Sequence, residues 1–269
     1  MKQLLILLFL CAGNTLIAQN AKHIQEAMNS YDYEKAIQLI EKEKPTTELL
    51  FQKGKALQAL SYNTEALETF RQIIATDTLN QRAFIEVAEC CKQMGKYQDA
   101  LKYYQKAIDI NPHNKYVRIQ YISLLCNLQQ YEEAFGESSV LAETDSSAVV
   151  LHLQAQSLEG RTGYIDAALG CYHVIQDKYP NDYLAAAKLG KIYNSMQAYE
   201  YAIEATEKYR ETDTTNIVVN RQNAQAHCLS RDYPTAINRY KYLVSQRDSS
   251  FHTYYYLGVS YYATEQFYE

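Results

Sequence analysis

Residues 81–114 read QRAFIEVAECCKQMGKYQDALKYYQKAIDINPHN, and this stretch decides the fold. Phe84, Val87, Ala88 and Cys91 fall at i, i+3, i+4 and i+7, the apolar stripe of one helix. Gly95 follows, where a helix must end and the backbone can take a positive φ. Tyr97, Ala100, Tyr104 and Ala107 then mark the stripe of a second helix, which Asn111-Pro112 stops. Small residues at 88 and 100 allow the two helices to approach, and Tyr97 and Tyr104 are expected to fill the space around them. Neither helix can bury its stripe alone, so each pair must stack on another.

The same pattern recurs on both sides. Ala66, Ala100, Ala134, Ala168, Ala202 and Ala236 stand 34 residues apart, and Ala36 lies 30 before the first. Three residues ahead of the alanine come Tyr33, Tyr97, Tyr131, Tyr199 and Tyr233, and Phe267 continues the series. Four residues after it come Phe70, Tyr104, Tyr172 and Tyr240; twelve before it sit the small residues Gly54, Ala88, Gly190, Ala224 and Gly258. Such a period is the signature of a repeat array. Composition agrees: 9 Gly and 4 Pro are too few for the turns of an all-β sandwich, and 47% hydrophobic residues argue against disorder.

The spacing resembles the tetratricopeptide repeat family, with Leu189, Gly190 and Tyr193, and again Leu257, Gly258 and Tyr261, matching its first-helix signature. Ala100, Tyr104, Ala107 and Pro112 match the second. The resemblance implies an all-α fold, an α-solenoid whose antiparallel helix pairs stack into a right-handed superhelix of about seven and a half units. The units divide as about 20–46, 47–80, 81–114, 115–148, 149–182, 183–216, 217–250 and a partial 251–269. The unit at 149–182 departs from register: Gln156 and Glu159 stand where small and aromatic residues belong. Shifting its first helix by one residue brings Leu151, Ala155 and Leu158 into line, with one extra residue in the Gly160-to-Gly163 turn.

Residues 1–18 read as a signal peptide. Met1-Lys2-Gln3 carries one positive charge, Leu4 to Ala12 is apolar, and Ala18 precedes the expected cleavage before Gln19. The apolar run is too short for a membrane span, which takes about 20 residues. Export to the periplasm or the outside follows, with no transmembrane segment in the mature chain. Lipoprotein anchoring through Cys11 is the lesser alternative, because Leu10 is the wrong size beside it. The five cysteines that remain, Cys90, Cys91, Cys126, Cys171 and Cys228, form no disulfide framework or zinc pattern and read as packing residues. Bridging of one neighbouring pair stays open.

No HExxH, CxxC or glycine-rich phosphate loop occurs, and the six histidines are scattered, so no enzymatic activity, cofactor or metal is expected. A net charge of −5 leaves no footprint for nucleic acid. The resemblance instead implies that the first helices line a concave groove. Its facing positions are Phe51, Lys55, Gln58, Ile85, Glu89, Lys92, Ile119, Ser123, Lys191, Asn194, Arg221 and Gln225. An apolar floor with mixed-sign edges suits an extended peptide or an amphipathic helix of a partner protein. The family's carboxylate clamp is not expected, because the equivalent pairs read Phe51/Lys55, Ile85/Glu89 and Ala187/Lys191. The function expected is an exported protein-binding scaffold, with assistance to the assembly of other exported proteins as one role it would suit. The alternative is the exported sensory or docking region of a longer membrane-anchored regulator cut at residue 269. The next alanine in the series falls due at position 270, so Tyr254, Leu257 and Tyr261 are expected to lack their cover and to promote self-association.

Overall fold

The computed structural model describes residues 20–266. The signal-peptide positions, including Cys11 and Ala18, and Phe267 lie outside the described residues. Helix α1 occupies 20–29, followed by α2 (Tyr33–Ile40), α3 (Thr47–Ala59), α4 (Asn63–Thr76), α5 (Gln81–Gln93) and α6 (Tyr97–Ile110). Then come α7 (Lys115–Asn127), α8 (Tyr131–Ala142), α9 (Ala148–Glu159), α10 (Ile165–Lys178), α11 (Tyr183–Ser195), α12 (Tyr199–Arg210), α13 (Ile217–Leu229), α14 (Tyr233–Ser245) and α15 (Phe251–Ala263). Among the described residues there is no strand, and the fold is an all-α solenoid. The chain divides into two units within α7, one up to Leu124 and one from Leu125.

The alanine column is the packing axis of each pair. Ala36, Ala66, Ala100, Ala134, Ala168, Ala202 and Ala236 are all fully buried. The aromatic column four residues on is buried with it: Phe70, Tyr104, Tyr172 and Tyr240 are enclosed on all sides. The small column explains how these rings fit. A methyl added at Gly54 would sit 2.5 Å from Phe70 Cε1 and 2.9 Å from Cε2, so the ring occupies the space that glycine leaves. One added at Gly190 would lie 2.8 Å from Thr206 Cγ2 and 2.9 Å from Gln222 Cβ. The tyrosine column ahead of the alanine behaves differently from expectation. Tyr97 opens α6 and remains 45% exposed, whereas Tyr33, Tyr131, Tyr199 and Tyr233 are half-buried, so the column covers the pair only in part.

Two further columns repeat every 34 residues. Thr46, Asn80, Asn114, Asp182, Asn216 and Ser250 stand just before successive first helices, and each side chain accepts a hydrogen bond from a first-turn amide. The expected register shift shows here as well, since α9 is preceded by Ser147, one residue early. Gly163 takes the positive φ in the lengthened turn that follows. Within each pair the turn holds a left-handed residue: Ser61, Gly95, Gln129, Gly163, Gln197, Arg231 and Glu265 all have φ between 58° and 83°. Only two of the seven are glycine, so the others carry a backbone strain of roughly 1 kcal/mol each.

The five cysteines are free, and Cys90, Cys91, Cys126 and Cys228 are buried. Burial pushes the thiols of Cys90 and Cys126 up to about 11, which leaves them protonated and unreactive at neutral pH. No helix among the described residues is long and apolar enough to cross a membrane.

Candidate partner-binding groove

The first helices supply the polar face in each unit, and much of that face is already bonded to itself. In the unit up to Leu124, Lys55 on α3 reaches Glu86 on α5, with Nζ 2.9 Å from Oε2. Gln58 donates to the Cys90 sulfur at 3.3 Å. Glu89 takes two roles at once: it pairs with Lys92 at 2.8 Å and accepts from the buried Tyr104 hydroxyl. Burial and that bond to a carboxylate hold the Tyr104 phenol far above its ordinary titration range. Lys92 also donates to Gln120 on α7 at 3.2 Å. Ile85, Ile119 and Ser123 are half-buried between these polar groups.

Phe51 does not belong to the face. It is only 3% exposed, and its ring lies 5.8 Å from that of Phe70, so it fills the interior between α3 and α4 and cannot serve as groove floor. Its counterparts 34 and 68 residues on, Ile85 and Ile119, stay half-buried.

In the second unit, Asn194 is likewise corrected. It is 6% exposed and donates to the Gln222 carbonyl at 3.0 Å, tying α11 to α13. Arg221 and Gln225 keep some exposure but are committed within the fold. Arg221 reaches the buried Asp248 carboxylate through Nε at 3.1 Å and Nη2 at 2.9 Å. Burial works against the Asp248 charge, yet bonds from Thr253, Ser250 and Arg221 outweigh it and hold its pKa at about 2. Gln225 donates to Tyr256 at 3.2 Å and faces His252 Nε2 at 3.1 Å. Lys191 is exposed on α11 with no hydrogen-bond or ion-pair partner among the described residues. Lys188, three residues earlier, is held by Glu159 at 2.8 Å.

Of the expected positions, Lys55, Gln58, Ile85, Glu89, Lys92, Ile119, Ser123, Lys191, Arg221 and Gln225 stay at least partly exposed, and Phe51 and Asn194 are withdrawn. The pairing partners Glu86, Glu159 and Asp248 were not among the expected site residues. Their signal was a spacing of 27 to 31 residues from a basic residue, short of the repeat length by the offset of one helix turn or two. Among the described residues no group of three or more His, Cys, Asp or Glu could hold a metal ion.

The family model of the tetratricopeptide repeat matches residues 82–114. No curated protein sequence matches the chain. Among solved structures, the C-terminal part of a repeat protein from Cytophaga hutchinsonii superposes with a TM-score of 0.72 at 15% identity, covering 88% of this chain and 98% of that one. A tetratricopeptide repeat protein from Parabacteroides merdae gives 0.62 at 16% identity, over 90% and 98%. YrrB, described as a TPR protein with an unusual peptide-binding site, gives 0.55 at 18% identity, over 70% and 95%. At these identities the likeness carries the fold alone. The chain thus carries a tetratricopeptide repeat at 82–114 and shares the all-α solenoid fold of these repeat proteins.

Proposed function

We propose that this chain is an exported scaffold that seats an extended peptide or an amphipathic helix of a partner protein against its first-helix faces. The fold is that of a protein-binding scaffold, and YrrB, which shares it, has a peptide-binding site. The observation that carries the reading is the make-up of the face itself. Half-buried Ile85 and Ile119 alternate with ion pairs whose carboxylates are largely covered and whose lysine ends stay partly exposed, and Lys191 has a charge that nothing internal offsets. The accessible lysine ends can meet an acidic side chain of the partner without uncovering the buried carboxylates. Apolar contact would then supply affinity, and the ionic edges orientation. Export rests on the basic start and the short apolar run of residues 1–18.

A peptide-display selection against the full chain tests the groove. Selected peptides should lose binding to Lys55→Glu or Lys191→Glu and keep it for Lys106→Glu, an exposed change on the second helix α6. Loss confined to Lys106→Glu would move the site off the first helices. Export is read separately, from the N-terminus of the protein recovered from the cell envelope or the medium; a start at Met1 there would rule out the cleavage.

A further inference from the structure

A second surface of the unit from Leu125 has a different chemistry. Between α12, the loop after it and α14 lies a cleft of about 480 Å³ lined by Arg210, Thr214, Thr235, Asn238, Arg239 and Tyr242. Every one of these side chains is polar or carries a hydroxyl. It belongs to the second helices, away from the first-helix positions discussed above.

The charge in the cleft is unbalanced in a specific way. Arg210 Nη1 donates to Glu207 Oε1 at 3.1 Å, and Arg239 Nη2 donates to the same oxygen at 2.9 Å. One carboxylate therefore answers two guanidinium groups. Glu207 is drawn on further by Asn223, which donates to the same Oε1 at 2.9 Å, and by His227, whose Nε2 lies 4.0 Å away. The Asp232 carboxylate behind this group is taken by His227 Nδ1 at 2.9 Å and by the amide of Thr235. The Nε atoms of both arginines are buried without a hydrogen-bond partner, and the Arg210 side chain is only 10% exposed. Burying a guanidinium with donors unanswered is unfavourable unless some acceptor offsets it. Loss of solvation, with Arg239 alongside, weakens the hold of Arg210 on its proton despite the pull of Glu207.

A planar donor fork matches the paired oxygens of carboxylates and phosphates alike, and two cationic forks held side by side by Glu207 favour the anion with more charge and more acceptor oxygens, a phosphate. Hydroxyls from Thr214, Thr235 and Tyr242 and the amide of Asn238 can complete the shell of acceptor oxygens. We propose that this cleft binds a phosphate-class oxyanion, with Arg210 and Arg239 as its charged contacts and Glu207 as the residue that positions them. Inorganic phosphate and the phosphoryl group of a phosphorylated side chain share this chemistry.

Calorimetric titration of the full chain at pH 7.5 tests it, with inorganic phosphate, O-phosphoserine, acetate and sodium chloride at matched ionic strength. Phosphate should bind where chloride and acetate do not. Binding of O-phosphoserine at least tenfold tighter than phosphate would identify a phosphorylated residue as the source, and equal or weaker binding the free ion. Arg239→Gln should weaken phosphate at least tenfold. Because that change also touches Glu207, Asn238→Asp provides the second variant. It places a negative charge on an exposed residue of the cleft, leaves the arginine–Glu207 bonds intact, and should weaken phosphate similarly with an unchanged melting curve. Equal heats for phosphate and chloride, equal affinity for acetate, or full phosphate affinity in Asn238→Asp would overturn the assignment.

Discussion

Alanine at Gly54 and alanine at Gly258 are the same substitution at the same position of the repeat, yet the structure gives them opposite signs. At Gly54 the new methyl would lie 2.5 Å and 2.9 Å from two carbons of the Phe70 ring, where ordinary contact begins near 3.4 Å. Phe70 is fully buried against Phe51 and cannot swing into solvent, so the ring and its neighbours must give by roughly an ångström. Overpacking of this kind costs about 1–3 kcal/mol. Alanine returns about 1 kcal/mol through its greater helix propensity. The net for Gly54→Ala is a loss of up to about 2 kcal/mol. At Gly258 nothing lies within 4 Å of the added methyl, so only the propensity gain remains, up to about 1 kcal/mol. Urea unfolding followed by far-ultraviolet circular dichroism, with hydrogen exchange on α3 and α15 to localise each effect, measures both. Phe70→Leu placed on Gly54→Ala should recover part of the loss, since the shorter side chain vacates the contested space. A Gly54→Ala variant as stable as the parent would show that the small column does not govern the approach of the two helices.

Three other outcomes are expected. Gln129→Gly and Gln197→Gly should each raise stability by about 0.5–1 kcal/mol by removing left-handed strain, and Gly95→Ala, where a methyl meets nothing, should lower it by a similar amount; unchanged melting for all three would refute the strain. Tyr104→Phe should cost about 1–2 kcal/mol by deleting its bond to Glu89, whereas Tyr240→Phe should be neutral or stabilising because the Tyr240 hydroxyl is buried without a partner. Asp248 has a folded pKa of about 2 against an ordinary value of 3.8, so its contribution of about 2 kcal/mol is fully present above about pH 5 and fades as pH falls toward 2. Arg221→Met should reduce that acid limb in stability measured from pH 2 to 6 by the share that Thr253 and Ser250 do not hold, and an unaltered limb would contradict the pairing.

The fold was legible because its packing axis is made of alanine. A residue that must be small, at a position that recurs every 34, survives as a visible column. The shifted register of α9 was legible for the same reason, through Ala155 and Leu158. The left-handed turn was legible only at Gly95. At Ser61, Gln129, Gln197 and Arg231 the same conformation is imposed by the helices on either side, and a residue that tolerates strain leaves no mark in the sequence. The exposure of the expected groove positions was not legible. Spacing placed Phe51 and Asn194 with Lys55 and Lys191, whereas burial is decided by the neighbour across the gap: Phe70 for one, Gln222 for the other. Arg221 shows the same limit, since Asp248, 27 residues on, lies in the loop after α14 where Pro112 and Pro180 stand in their own units, and nothing in that column announces a carboxylate. Arg210 and Arg239 stand on no shared column, and only the folded chain brings them to one carboxylate.

Within each unit a helix packs on those next to it in sequence, α5 on α6 and α11 on α12, with first helices such as α11 and α13 also in contact. Contacts so short in sequence demand little loop closure, which favours folding in micro- to milliseconds. They also divide stability among neighbours, so the chain need not unfold as one body. Calorimetry should then find a van't Hoff enthalpy below the measured one, and exchange protection should decline from the middle of each unit toward its outermost helix. For a protein of this construction the useful quantity is a profile of opening free energies along the chain, and a partner seated across several helices would raise that profile wherever it makes contact.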